Sequence, residues 1–250
     1  MQQRQSPIEV MPEDWQTALA IVAHPDDMEY GAASAIAKWT AQGKQIVYVM
    51  VSRGEAGIND RRPEEVGPLR SQEEIDAARV VGVDVVEFLS HPDGVIEYGL
   101  PLRRDISRAI RRHRPDVLLT LSHQLQFPSG HLNQADHRHV GVAVFDAARD
   151  AANRWIFPEL SEEGLEPWNG VRFVAVFGPS IPTHGIDVTG YLDKGLDSLR
   201  QHRAYLEYLG AESTSRTLEF LTAHAVERGQ ALGCQHAILA ELVLIHEPWG

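Results

Sequence analysis

Leu19-Ala20-Ile21-Val22-Ala23-His24-Pro25-Asp26-Asp27-Met28-Glu29 decides the fold. An unbroken apolar run that stops abruptly in His-Pro-Asp-Asp predicts a buried strand whose end carries an imidazole and two adjacent carboxylates. Open α/β folds keep their ligands at that carboxyl edge of the sheet. The stretch therefore predicts a hydrolase's metal site on a mainly parallel sheet.

Working outward, apolar runs alternate with helical patterns, as βαβ units require. The pattern predicts a helix over 31–42 closed by Gly43, and a strand over 46–51. A long polar loop over 52–69 should overhang the site. A helix over 70–81 stopped by Gly82 follows, then a strand over 85–89 and a turn at His91-Pro92-Asp93-Gly94. A helix over 102–113, a strand over 117–121, a loop over 122–135 and a helix over 136–152 come next. Beyond a connector over 153–169, strands are predicted at 171–177 and 186–188, and one long helix at 192–209. The tail reads as a helix over 218–231 and a further helix or strand over 237–246.

A chain of 250 residues, 43% hydrophobic and 23% charged, is expected to form a single domain spanning 1–250. No apolar run approaches the roughly 20 residues of a membrane span. Met1–Ser6 lacks the order of a secretory signal and Cys234 stands alone, so a reducing cytoplasm is the expected location. A net charge of -12 argues against a nucleic-acid partner. The basic cluster Arg103, Arg104, Arg108, Arg111, Arg112 and Arg114 is predicted to be the solvated side of a helix.

His24 and Asp27 are three apart, close enough for one nitrogen and one oxygen to reach the same cation. Imidazole with carboxylate suits Zn²⁺, another divalent ion being an alternative, and a catalytic zinc generally takes three protein ligands. The third is expected from Asn133-Gln134-Ala135-Asp136-His137-Arg138-His139, at a second strand-to-helix edge. Residues two apart point in different directions, and His137, at the helix start beside Asp136, is the better placed of the two histidines. Asp26 diverges from Asp27 and is left free to accept a proton from water on the metal, as general base.

These residues resemble the PIG-L/LmbE-like zinc de-N-acetylases. Ala23–Glu29 matches the family's Ala-His-Pro-Asp-Asp-x-Glu opening. Ser52-Arg53-Gly54-Glu55-Ala56-Gly57, Arg70-Ser71-Gln72-Glu73, Pro92-Asp93-Gly94, Pro115-Asp116-Val117 and Asp136-His137-Arg138-His139-Val140-Gly141 resemble its later motifs, in order. The resemblance covers the first 150 residues well, and the remainder only through Lys194 and the helix around His202. It implies a Rossmann-like three-layer αβα fold and a zinc held by His24, Asp27 and His137, with Asp26 as base. The implied reaction is hydrolysis of an N-acyl group, usually acetyl, from a small-molecule amino sugar or conjugate. Arg70, with Glu29 and Arg53, would contact substrate, and Asp136 would orient an imidazole.

One departure stands out, because the family's transition-state histidine is Gln134 here. An amide donates a hydrogen bond but cannot act as a cation. His123, His131, His139 and His224 are possible substitutes. Phe127, Trp155 and Trp168 are candidate sugar-stacking faces, with plain packing the more common role of such residues. Two alternatives accompany the deacetylase reading: an amidase for a thiol-sugar conjugate of mycothiol type, and a non-catalytic metal- or carbohydrate-binding module. The resemblance leaves homo-oligomers possible.

Overall fold

The structure, a computed structural model, describes residues 8–245, so the Met1–Ser6 segment and His246 lie outside the described residues. Its strands are β1 (Glu9–Val10), β2 (Thr17–Val22), β3 (Gln45–Met50), β4 (Val85–Phe88), β5 (Val117–Leu121), β6 (Phe173–Phe177), β7 (His184–Asp187) and β8 (Ala237–Leu244). They form one sheet in the order β1-β7-β8-β6-β5-β2-β3-β4. Among the described residues only β8 runs antiparallel to its neighbours, β6 and β7.

The helices are α1 (Asp27–Gly31), α2 (Ala33–Ala41), α3 (Pro63–Val80), α4 (Leu100–His113), α5 (Ala135–Asp150), α6 (Glu159–Glu162), α7 (Leu192–Leu199), α8 (Arg203–Leu209) and α9 (Ala211–Leu232). Side chains alternate across a strand, and β2 shows what this does. Ala18, Ala20 and Val22 enter one core with Ile36 and Trp39 of α2 and Ala78 of α3. Leu19 and Ile21 enter the other with Ile106 and Ile110 of α4 and Val144 of α5. Two helical layers thus sandwich the sheet in an α/β three-layer fold. Helix α7 packs against α2 and α3, and Gly195 permits it, since a Cβ there would collide with Ser34.

From β2 the chain winds outward through β3 and β4, then returns to β5 on the other side. The strand order reverses between β2 and β5, which is where ligands bind in such sheets. The segments leaving these two strands carry His24 and His137.

Four boundaries differ from the sequence-based expectation. The 52–69 loop ends early, because Arg62 is extended, Pro63 takes the first helical turn and α3 runs on through Pro68. The 31–42 helix is two helices, broken at Ala32 (φ -142). The 192–209 helix breaks after Leu199, where His202 (φ -75, ψ 55) turns its ring into the interior. The tail gives α9 and the strand β8.

The basic cluster is also only partly a solvated face. Arg103 pairs with Asp150 and Arg108 with Asp105 and Glu163, whereas Arg111 is 2% exposed and donates to the carbonyls of Asp150, Ala151, Asn153 and Ile156. It holds the segment after α5 in place of a solvent shell. No helix among the described residues is long and apolar enough to cross a membrane.

Candidate metal centre

The turn after β2 places Asp26 in the left-handed region (φ 88, ψ -18), a conformation that costs a non-glycine residue roughly 1–2 kcal/mol. Its surroundings hold it there. The Asp26 N–H donates to Glu74 Oε2 at 2.9 Å, while Arg70 Nη2 donates to the Pro25 carbonyl at 2.6 Å and to Asp26 Oδ2 at 3.0 Å. Asp27 Oδ2 accepts the backbone N–H of His24 at 2.9 Å, which closes the turn from within.

Three groups converge beside it. His24 Nδ1 lies 3.2 Å from His137 Nε2 and 3.8 Å from Asp27 Oδ2, and His137 Nε2 lies 3.0 Å from Asp27 Oδ1. The opposite side of each ring is taken by an acceptor. His24 Nε2 faces Asp136 Oδ2 at 3.2 Å and Asp93 Oδ1 at 3.0 Å. The Asn133 amide donates to the carbonyls of Ser122 (2.6 Å) and Gln124 (3.0 Å), so its oxygen must face His137 Nδ1 at 2.9 Å. Both rings therefore carry their protons on the far nitrogens when neutral. Two lone pairs and a carboxylate then point at one another.

That arrangement fits a cation. A tetrahedral zinc with bonds of about 2.0–2.1 Å sets its ligands about 3.3 Å apart, and the 3.0, 3.2 and 3.8 Å separations bracket that value. Carboxylates behind a metal-binding imidazole fix its tautomer and orientation, as Asp136 and Asp93 do for His24. Asp136 is itself held by the Gly94 (2.7 Å) and Ile96 (3.1 Å) N–H groups.

The electrostatics agree. Burial would lower the His24 pKa, yet bonds to Asp136, Asp27 and Asp93 hold it well above the imidazole range, so the pocket demands positive charge. Burial likewise opposes ionisation of Asp27, but His137 and His24 keep its carboxyl far below the usual value. Asp26 goes the other way: burial raises it to about 6 against the pull of Arg70 and His202. A carboxylate with a pKa near 6 beside a cation site can take up a proton and return it.

A cavity of about 460 Å³ opens over these groups, lined by His24, Asp26, Asp27, Gln134 and His137 among others. Gln134 precedes α5 and is exposed. Of the four substitute histidines, only His224 lines the cavity, stacked at 4.0 Å on Phe220. His123 packs on Phe145 and His131 bonds Ser129, while His139 is half-buried and bonded to the Ile96 carbonyl, so it cannot replace His137. Phe127 lines the cavity, whereas Trp155 is 80% exposed elsewhere and Trp168 bonds the Pro115 carbonyl.

The three expected substrate contacts fare differently. Arg53 lies outside the cavity and covers the Phe88 ring at 4.9 Å. Glu29 borders the cavity but is tied inward, accepting from Ser198 Oγ at 2.9 Å and facing His202 at 3.6 Å. Arg70 stacks on Tyr205 at 4.2 Å and directs its guanidinium to Asp26, Pro25 and the Gly54 carbonyl. Gly54 (φ +62) leaves room for it, since a Cβ would strike Arg70. Arg70 thus lines the cavity while holding Asp26 through its Oδ2. Sequence reasoning assigned no role to Asp93, Asn133, Glu74 and Tyr205, which reach the site through the fold; Asp93 and Asn133 carried a signal, as parts of the turn motif and of the second strand-to-helix edge.

The chain is 27% identical over 197 residues to the diacetylchitobiose deacetylase of Thermococcus kodakarensis, covering 76% of this chain and 70% of that protein. It is 27% identical over 177 residues to a 1D-myo-inositol 2-acetamido-2-deoxy-alpha-D-glucopyranoside deacetylase of Streptomyces avermitilis, covering 60% of this chain and 57% of that one. Its fold matches the solved N,N'-diacetylchitobiose deacetylase of Pyrococcus horikoshii with a TM-score of 0.84, at 24% identity over 93% of this chain and 85% of that one. The model of the PIG-L family, GlcNAc-PI de-N-acetylase, matches residues 19–148, from β2 through α5, which is more than half of the chain and contains every candidate ligand. The protein belongs to the PIG-L family.

Proposed function

We propose that this chain hydrolyses the N-acyl group, acetyl in the simplest case, of an amino sugar or sugar conjugate, with one zinc held by His24, Asp27 and His137. The observation that carries the reading is the pair of facing imidazole lone pairs closed by Asp27, with an unligated carboxylate, Asp26, beside them. A binding module has no use for that second carboxylate. The named relatives are deacetylases of N-acetylated sugars, which supports the same reading.

When bound, the ion would polarise the scissile carbonyl and acidify a water. Asp26 receives the proton of the attacking water; Arg70 occupies its Oδ2, and Oδ1 has no hydrogen bond among the described residues. The same carboxyl then delivers that proton to the departing amine, leaving acetate and a free amino sugar. Gln134 offers an amide N–H to the developing oxyanion, and the neutral donor leaves more of its charge to the other groups. Asp136, Asp93 and Asn133 hold the two rings in their tautomers throughout.

The test is acetate release from a panel of N-acetylated sugars by zinc-loaded protein, against a chelated control. Release that disappears on chelation supports the proposal. Equal rates in both samples, or no release from any member, would overturn it.

A further inference from the structure

We infer that Glu74 is a positioning residue for the base: its carboxyl holds the Pro25–Asp26 peptide in the left-handed turn and so keeps the Asp26 carboxylate at the cavity wall. This rests on the proposed function, which names Asp26 as the base.

The peptide plane between Pro25 and Asp26 is pinned at both ends. Its carbonyl accepts from Arg70 Nη2 at 2.6 Å, and its N–H donates to Glu74 Oε2 at 2.9 Å, the one acceptor that N–H has among the described residues. Arg70 and Glu74 are four apart on α3 and share a face of that helix. Beyond Asp26 the chain is fastened as well, because the Asp26 carbonyl accepts the N–H groups of Glu29 at 2.9 Å and Tyr30 at 3.1 Å as α1 begins. With the plane before it and the helix after it both fixed, Asp26 has no choice but φ 88.

Glu74 is the restraint that matters for that angle. Without it the plane can swing about its single bond to Arg70, and a residue with a Cβ leaves the left-handed region when it is free to do so. The Asp26 side chain turns with its backbone. The burial of Glu74 fits such a task, since a carboxyl taken fully out of water is costly unless it is partnered. Its partners are the Asp26 N–H and the His202 ring, whose Nε2 lies 3.7 Å from the same Oε2. The adjacent Glu73 takes no part: its Oε1 accepts the Ala204 N–H at 2.6 Å, in the first turn of α8.

Zinc-loaded protein is tested for kcat and KM of acetate release, for bound zinc, and for hydrogen exchange of the Asp26 amide. Glu74→Leu removes the acceptor and should lower kcat about a hundredfold, the effect of displacing a catalytic group by roughly 1 Å, with KM and zinc content unchanged. Exchange of the Asp26 amide should quicken by about tenfold or more in the same variant. Glu74→Gln keeps an oxygen for the same N–H and should restore most of the rate and the slow exchange. If Glu74→Leu fails to fold, Glu74→Asp keeps a carboxyl on the His202 side but stops one methylene short of Asp26, and it should lose kcat and amide protection together. Unchanged kcat and exchange in the shortened or acceptor-free variant, a Glu74→Gln rate as low as that of Glu74→Leu, or a fall in kcat that tracks lost zinc would overturn the inference. Amide exchange is read without substrate, so wild-type protein that releases no acetate fails the hydrolase reading while the hold of Glu74 on Asp26 is still scored.

Discussion

His202 is fully buried between Glu29, at 3.6 Å, and Glu74, at 3.7 Å, and neither ring nitrogen has a hydrogen bond among the described residues. Burial opposes its charge, but Glu29 and Glu74 overcome that penalty and raise its pKa to about 9. An unfolded chain binds the same proton with a pKa of about 6.5. Because the folded value is the higher, the contribution is complete below pH 6.5 and is lost as pH climbs through about 9. The difference corresponds to on the order of 3 kcal/mol. In a protein of this size that is a fall of about 6–12 °C in melting temperature. The assay is thermal unfolding of chelated wild type and His202→Gln at about pH 6 and about pH 9.5. The wild type should lose that much more between the two conditions than the variant does. Parallel pH dependence in both proteins would refute a charged His202 clamped by the two glutamates.

Asp136→Asn removes the charge and one oxygen from one of the two carboxylates behind His24 and should weaken zinc about tenfold in a competition titration, with Asp93 still in place. The Asp93→Asn/Asp136→Asn pair should approach a hundredfold loss. Arg111→Ala removes a donor from four carbonyls, of which those of Asp150, Ala151 and Asn153 keep a backbone N–H and that of Ile156 is left unpaired among the described residues, and should cost about 1–3 kcal/mol in denaturant unfolding. Gln134→Ala should reduce kcat about a hundredfold with KM little changed if the amide meets the oxyanion, and a change confined to KM would assign it to substrate binding.

The centre of this fold was legible because its signals are local. An apolar run ending in His24-Pro25-Asp26-Asp27 and a second ending before Asp136-His137 each fix a strand and the loop beyond it, and a parallel sheet then has to bring the two loops to one edge. What stayed hidden depends on contacts distant in sequence. The break after α7 follows from burying His202 against Glu29 and Glu74, which no helical periodicity records. Arg53 and Arg70 look alike as arginines in family motifs, yet only α3 delivers a guanidinium to Asp26. Pro63, Gly67 and Pro68 read as loop formers, but Pro63 suits a helix start and packing carries α3 across the other two. Asp93 was visible as a turn residue, and its role behind His24 arises only when β4 and β2 share a sheet edge.

Metal analysis of protein stripped by chelator and reconstituted with zinc tests the central claim most directly. One zinc per wild-type chain, with loss of that ion in His24→Ala and in His137→Ala but not in Asp26→Asn, is the predicted result. Full zinc retention by either histidine variant, or loss of the ion from Asp26→Asn, would contradict a site built from His24, Asp27 and His137 with Asp26 free beside it.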